Sequence, residues 1–337
     1  MQRRRSRLSR GVVRLLELVP AGVELAALRD LVRDDLVDDA GLDDLLGRER
    51  ETALKRTDIP RVRPILVVLA AKAAGASQVD GDTQYMAEML HTALSVHDLA
   101  LGRGGGRRRR VARRIVRSSM SWLSGNHVTL RALELARYSE PAILEDLVDT
   151  LRHFSDSQAL AEELRGTNDA SEDDWLEHAD GHTAALFTFC CRAGGHLAQA
   201  SNAEVRALGR YGRHVGRLWH IAEDLSGLLH HDGGEHLLLR ASMGRPMLPV
   251  IVATRQDVSI ARLWQSVVEG GDSDEAAELA RRLGTSRGLG VAREVMVREA
   301  WCARRALGAL PKSSYRSALD RLAGGIARAG LITPSLD

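Results

Sequence analysis

Apolar residues recur three and four positions apart along most of this chain, and that spacing places them on one face of an α-helix. Aromatic residues make up only 4% of the sequence, whereas residues that favour helices are abundant. The sequence therefore predicts an all-α protein. No internal repeat and no low-complexity linker interrupts the pattern, so the simplest interpretation is a single domain over residues 1–337.

Prolines and glycines mark where the predicted helices begin and end. Residues 65–74 form a nearly uncharged segment that follows Pro64 and stops at Gly75, which predicts a buried helix. A loop is predicted at the glycine-rich residues 102–106, and another between residues 229 and 249, where the helical period fails. The other predicted helices cover residues 82–101, 109–138, 141–153, 157–164, 172–200, 203–230, 247–253, 259–269, 273–283, 289–310 and 312–329.

The charge balance argues against a dedicated nucleic-acid protein. The chain has 47 basic and 45 acidic side chains, a net charge of +2. An arginine run at residues 107–110 would attract phosphate chains, but it lacks the interleaved aromatic residues on which single-stranded bases stack. We therefore expect no nucleic-acid partner.

The cysteines and the hydropathy pattern bear on the cellular location. Cys190 and Cys191 are adjacent and Cys302 stands alone, a usage typical of a reducing compartment. No uncharged apolar stretch approaches the ~20 residues that a membrane-spanning helix needs. The sequence predicts a cytoplasmic protein without a transmembrane segment.

Four stretches, in this order, follow the pattern of a known family. They are residues 61–71, an Arg-Val-Arg-Pro start followed by an apolar run; residues 91–98, from His91 to Asp98; residues 182–201, which open with His182-Thr183; and residues 210–224, which end in Glu223-Asp224. Together they resemble the trans-isoprenyl diphosphate synthases, also called polyprenyl synthetases. The resemblance implies an isoprenoid synthase-type helical bundle around a central cavity and a role in isoprenoid biosynthesis.

The resemblance also implies a metal-dependent reaction. Family members ionise an allylic diphosphate with three Mg²⁺ ions, add isopentenyl diphosphate to the cation and then lose a proton. The reaction depends on neutralising the leaving diphosphate. The family does so with an Asp-Asp-x-x-Asp motif on each of two facing helices, where carboxylates four residues apart share one face.

This chain departs from both motifs. Residues 98–102 read Asp-Leu-Ala-Leu-Gly and residues 223–227 read Glu-Asp-Leu-Ser-Gly, so both have a glycine at the i+4 position. The remaining candidate Mg²⁺ ligands are Asp98, Glu223 and Asp224. Because Mg²⁺ needs several converging oxygens, we expect its binding to be weak or lost. No catalytic residue can be assigned from the sequence.

Other positions bear on the substrate. By resemblance, Arg61 and His91 hold isopentenyl diphosphate, and Arg107 and Arg108 match the arginine pair that follows the first motif. Arginine forks suit phosphate oxygens. The family's lysine before Thr183 is His182 here, which removes a fixed positive charge. Ala93 and Leu94 match the positions that gate product length, although any core residue would also fit there.

Three patterns have simpler explanations. Residues 34–38 are a literal Asp-Asp-x-x-Asp, but they precede Arg61, so a solvated acidic helix face explains them. The histidines at 230, 231 and 236 have no metal-ligand spacing. Asp98 itself has the alternative of facing solvent or pairing with an arginine.

Three functions remain open on the sequence. The first is an isoprenyl diphosphate synthase-like protein that is catalytically impaired or partner-dependent, and that binds allylic or isopentenyl diphosphate or regulates an intact synthase, as a homodimer or as a heterodimer with that synthase. The second is an active chain-elongating polyprenyl diphosphate synthase with a reduced or unusual Mg²⁺ site. The third is a binding module unrelated to isoprenoids.

Overall fold

The computed structural model describes residues 62–79, 81–101, 111–165, 167–229, 234–243 and 245–331. Every regular element in these ranges is a helix, which confirms the all-α prediction. None of these helices has an apolar stretch long enough to cross a bilayer.

The helices follow one another with short connections. In chain order they are α1 (Val62–Ala73), α2 (Gly81–Leu101), α3 (Val111–Ala136), α4 (Pro141–Glu163), α5 (Glu172–Ala179), a π-helical turn (Asp180–Ala184), α6 (Ala185–Leu197), α7 (Asn202–Leu229), α8 (Glu235–Ser242), α9 (Leu248–Gln256), α10 (Val258–Val268), α11 (Ser273–Leu283), α12 (Arg287–Ala306), a 3₁₀ turn (Leu307–Ala309) and α13 (Ser314–Leu331).

Helices α1 and α7 organise the core. Nearly all side chains of α1 are buried, as its continuous apolar sequence predicts, and α1 packs against α2, α6 and α13. Helix α7 contacts α6, the π-helical turn, α12 and α13. The buried Tyr211 hydroxyl donates a hydrogen bond to the Leu319 carbonyl over 2.8 Å, which joins α7 to α13. These contacts surround α7 with other helices, so the polar side chains that it carries inward must find partners inside the protein.

Helices α4 and α8 differ from the sequence prediction. Helix α4 runs unbroken through the serines at which the sequence predicted a break, and the Ser155 and Ser157 hydroxyls donate to carbonyls of the same helix instead of ending it. Helix α8 lies inside the predicted loop. It begins after Gly234, whose φ of 83° favours glycine, and it is too short for its period to stand out in the sequence.

Glycines allow α6 and α7 to approach closely. A Cβ at Gly212 would lie 2.5 Å from the Phe187 carbonyl oxygen and 2.8 Å from the Thr188 Cα. A Cβ at Gly216 would overlap the backbone of Ala184. These two glycines therefore set the distance between α7 and the segment that carries the π-helical turn.

We expect Gly212→Ala to lower the free energy of unfolding by about 1–3 kcal/mol, because the added methyl group forces the two backbones apart. The matched control is Gly290→Ala in α12, where a Cβ would meet nothing within 4 Å. That change should raise stability by up to about 1 kcal/mol, since alanine favours the helix. Urea unfolding measures both. Equal stability of Gly212→Ala and the parent chain would contradict the close-approach explanation.

Candidate functional site

The second acidic motif lies near the end of α7, and its Asp224 is buried. Asp224 has no exposed surface, and its Oδ1 accepts a hydrogen bond from Nη2 of Arg240, a 5% exposed residue of α8. Burial raises the pKa of Asp224 to about 6, although the Arg240 charge favours the ionised form. The structure thus pairs this carboxylate with a guanidinium inside the protein.

The preceding carboxylate is also engaged. Glu223 Oε1 accepts a hydrogen bond of 2.9 Å from the Trp219 indole nitrogen, one helical turn earlier. Its negative charge also acts on Arg63 of α1. Gly227 follows one turn later on the same helix and supplies no side-chain ligand. The two carboxylates of this motif are therefore held by protein donors.

The first motif lies at the end of α2. Asp98 is in this helix, but its side chain is outside the described part of the structure. His91 is half-buried, with Nδ1 3.4 Å from the Ser95 hydroxyl. Ala93 and Leu94 are both buried in the core. Their role as a chain-length gate stays a prediction.

The three arginines predicted to bind diphosphate lie outside the described residues. These are Arg61, Arg107 and Arg108. The acidic run at 34–38 and the histidines at 230 and 231 also lie outside them. Within the described ranges, no group of three or more His, Cys, Asp or Glu side chains is arranged to hold a metal ion.

The segment that carries His182 and Thr183 is the π-helical turn, which interrupts the single helix predicted for residues 172–200. Asp180, at its start, forms ion pairs with Arg213 and Arg217 of α7. These ion pairs hold the pKa of Asp180 below its usual value despite its burial. The two arginines therefore anchor the start of the turn to α7.

The π-helical turn brings His182 and Thr183 to His220 of α7. The Thr183 hydroxyl lies 2.9 Å from His220 Nδ1 and 3.2 Å from His182 Nδ1. His178 of α5 stacks on His182, with ring centroids 5.0 Å apart. Sequence reasoning missed His178, His220 and Arg240. The His178-x-x-x-His182 spacing was the one available signal, because it places both rings on one helical face.

A separate cleft of about 650 Å³ lies between α4, α5, the π-helical turn and α6. It is lined by acidic side chains that include Asp156 and Asp173, together with Arg192 and Arg213. None of the site residues predicted from the sequence lines it. Three of its carboxylates are already paired, Asp146 with Arg192, Asp149 with Arg152 and Asp180 with Arg213.

Solved structures with the same architecture identify the class of fold. A geranylgeranyl pyrophosphate synthase from Bacteroides thetaiotaomicron superposes with a TM-score of 0.76 over 93% of this chain and 99% of its own, at 23% identity. A heptaprenyl diphosphate synthase from Staphylococcus aureus gives 0.76 over 91% and 99%, at 18% identity. The fold is therefore that of the isoprenyl diphosphate synthases.

The sequence comparison defines the family. The polyprenyl synthetase family model matches residues 60–280. The chain is 27% identical to an octaprenyl diphosphate synthase of Haemophilus influenzae over 276 residues, which cover 78% of this chain and 82% of that protein. It is 28% identical to an all-trans-nonaprenyl-diphosphate synthase of Rhodobacter capsulatus, with the same coverage. This chain belongs to the polyprenyl synthetase family.

Proposed function

We propose that this chain binds an isoprenoid diphosphate but does not extend prenyl chains by itself, and that it acts with a partner synthase in isoprenoid biosynthesis. The observation that carries the proposal is the buried ion pair between Asp224 and Arg240. A carboxylate held in this way offers its charge to a guanidinium rather than to a metal ion.

The residues of the second motif do not fit a Mg²⁺ cluster. Mg²⁺ would neutralise the leaving diphosphate, and its ligands in this chain would be Asp98, Glu223 and Asp224. Asp224 is fully buried, and Glu223 accepts the Trp219 N–H. Mg²⁺ also keeps its water molecules unless several oxygens converge on it. The described part of the motif therefore supports weak or absent metal binding.

An active synthase with a reduced Mg²⁺ site is the second candidate. The relatives named above are named as synthases, and the match covers most of their length. Glu223 is only half-buried, so one carboxylate of this motif remains near solvent. In this alternative, Glu223 and Asp98 hold a smaller metal cluster from opposite walls.

Two exposed leucines on α3 support a partner subunit. Leu123 and Leu130 are 62% and 60% exposed and lie seven residues apart, so they share one side of the helix, with the exposed Asn126 and His127 between them. Interfaces between subunits combine apolar and polar side chains in this way. We propose that this side of α3 contacts a second prenyl synthase subunit, either a copy of this chain or an intact enzyme.

The proposed ligand contacts and the proposed location rest on fewer observations. Arg61, His91, Arg107 and Arg108 remain the proposed diphosphate contacts.

A cytoplasmic location also remains a proposal. It is supported by Cys190, Cys191 and Cys302, which are free in the structure.

The test is chain extension with purified protein, farnesyl diphosphate, isopentenyl diphosphate and Mg²⁺. We expect farnesyl diphosphate to bind and the isolated chain to give no extended product, because the leaving diphosphate is not neutralised by a full metal cluster. When an intact synthase is added to the assay, its rate or product length should differ from that of the same synthase without this chain. Extension by the isolated chain would contradict the proposal.

A matched pair of variants tests the metal ligand that the second candidate requires. Glu223→Gln keeps the length of the polar group but removes its charge, and Asp149→Asn removes a charge at an exposed position of α4. In an active synthase that uses Glu223 as a ligand, only Glu223→Gln abolishes product. In the proposed function, neither variant changes the binding of farnesyl diphosphate.

A further inference from the structure

Helix α12 has one side that is exposed from its first turn to its last. Val297 and Trp301 lie on this side and are 54% and 56% exposed, although both are large apolar residues. They are four residues apart, so their side chains are neighbours on one face. Among the tryptophans whose side chains the structure describes, Trp301 is the one that is exposed, since Trp175 and Trp219 are buried and Trp264 is half-buried.

Basic side chains stand on both sides of this apolar pair. Arg298 and Arg304 come three residues before and three residues after Trp301, and their side chains are 65% and 55% exposed. Arg305, one turn after Trp301, is also exposed. Glu294 is the one exposed acidic residue of α12, a helix that the structure describes throughout. The exposed side of α12 therefore combines an apolar centre with an excess of positive charge.

Two of these guanidinium groups keep their charge available. Arg304 is paired with Asp320 of α13, with Nε 2.7 Å from Oδ1. Arg298 Nε, in contrast, lies 3.7 Å from Oε1 of the buried Glu299, which is too far for a hydrogen bond. Arg305 forms no ion pair within the described part of the chain. An anion outside the protein can therefore approach Arg298 and Arg305 without displacing a close ion pair.

The Trp301 ring is in contact with the Arg305 guanidinium. The guanidinium carbon lies 4.6 Å from the ring centroid, which is a cation–π contact. This contact favours one orientation of the indole, and more than half of the residue remains exposed. Exposed indoles beside basic side chains are typical of helices that lie on an anionic bilayer, where the ring is placed at the level of the headgroups.

An anionic lipid surface fits this side of α12 better than a second copy of the chain does. In a symmetric dimer the same face meets itself, so the arginines of the two copies would be brought together. Like charges at such an interface oppose association. A bilayer that contains anionic lipids instead attracts basic side chains and accepts an indole at its surface.

We propose that the exposed side of α12, centred on Trp301 and bordered by Arg298 and Arg305, docks on a membrane surface that contains anionic lipids. Lipid phosphates accept hydrogen bonds from the guanidinium groups, and Trp301 and Val297 enter the headgroup region. The contact is peripheral and reversible. Docking brings the protein to the phase in which prenyl tails dissolve. This consequence rests on the proposed function, whereas the docking itself does not.

The experiment is sedimentation of the full-length chain with vesicles made of equal parts of phosphatidylcholine and phosphatidylglycerol, without any diphosphate or metal ion. We expect binding that high salt weakens, because salt screens the charges, and little binding to phosphatidylcholine alone. Trp301→Ala should weaken binding about tenfold, and Arg298→Gln combined with Arg305→Gln should weaken it about tenfold or more. These side chains are exposed, so the variants should keep the helical circular dichroism of the parent chain.

Tyr138→Ala is the matched control. Tyr138 is 87% exposed and lies 6.0 Å from the Arg137 guanidinium, but the exposed Glu134 and Glu140 are close to this pair in the sequence. The change removes an exposed aromatic residue beside an arginine where no basic excess surrounds it. It should therefore leave the vesicle affinity unchanged.

Trp301→Phe gives a second readout. Phenylalanine also enters the headgroup region, so binding should persist within about threefold. Brominated lipids should quench the tryptophan fluorescence of the parent chain on binding, and this quenching should be lost in the variant, because Trp301 is the indole that enters the bilayer. Quenching that persists in Trp301→Phe would contradict the proposed orientation.

Three other results would overturn the inference. The first is equal binding to neutral and anionic vesicles. The second is binding that neither Trp301→Ala nor the double arginine variant changes. The third is a parent chain that does not bind vesicles but whose oligomeric state in gel filtration changes in Trp301→Ala, which would make this face a protein interface. The proposed function is tested separately, because chain extension is measured without vesicles.

Discussion

Replacing Arg240 by methionine is expected to lower the free energy of unfolding by about 3–5 kcal/mol, because it leaves the Asp224 carboxylate buried without its charge partner. Asp224 has no exposed surface and Arg240 is 5% exposed, so water cannot take the place of the guanidinium. The lost charge–charge interaction in a low-dielectric environment dominates over the small change in side-chain volume. Urea unfolding followed by circular dichroism at pH 7.5 measures the effect.

A second substitution tests the cause. Arg240→Met combined with Asp224→Asn should recover most of the lost stability, since no unpaired charge then remains inside the protein. The surface control is Arg281→Met, which removes an ion pair with Glu278 on the exposed side of α11 and should leave stability nearly unchanged. If Arg240→Met costs no more than Arg281→Met, the buried pair does not hold α8 against α7.

The second large effect is a loss of stability in mild acid. Burial lowers the pKa of His178 and His220 well below the value of 6.5 expected in the unfolded chain. The unfolded chain therefore takes up two protons below pH 6.5 that the folded chain does not, and stability falls as the pH falls. Each histidine contributes a slope of up to about 1.4 kcal/mol per pH unit, or about 2.7 for both.

The titration of Asp224 changes stability in the opposite direction from that of the two histidines. Its pKa is about 6 in the folded chain and 3.8 in the unfolded chain, so the folded state holds the extra proton between these values. Its stabilising contribution is complete below pH 3.8 and is lost as the pH rises through 6. Between pH 6 and pH 5 the net expectation is a loss of about 1.4 kcal/mol on acidification. Asp146 and Asp180 are paired with basic side chains, and each has a lowered pKa. Their titration therefore changes stability only below pH 3.8, outside this range.

Replacing the histidines should reverse the direction in which the free energy of unfolding changes with pH. A nonspecific effect of acid would not reverse it. With one of His178 and His220 replaced by glutamine, the pH dependence between 6 and 5 should be nearly flat, because one histidine and Asp224 cancel. With both replaced, Asp224 is the one of these three groups that still titrates, and its contribution should make stability rise on acidification. Urea unfolding at several pH values measures this. An unchanged slope in the double variant would show that these imidazoles are not the groups that titrate.

The family motifs could be read from the sequence because they are local. Gly227 stands four residues after Glu223, and this spacing on one helix is enough to expect a missing ligand. The sequence also indicated that His182 stands where the family has a lysine before Thr183. The sequence did not show that Asp224 pairs with Arg240. Arg240 lies in α8, and this helix is too short to be recognised from the period of its apolar residues.

The sequence by itself determined that the chain is helical and where most of the helices lie, and it predicted that acidic residues are missing from the two motifs. These properties depend on residues within one or two turns of each other, so their physical cause is contained in a short stretch of chain. Only the tertiary structure decided that Arg240 neutralises Asp224 and that His178, His182 and His220 meet beside Trp175. Those contacts join separate helices, and they exist because the glycine-lined approach of α6 to α7 and the π-helical turn bring distant segments together.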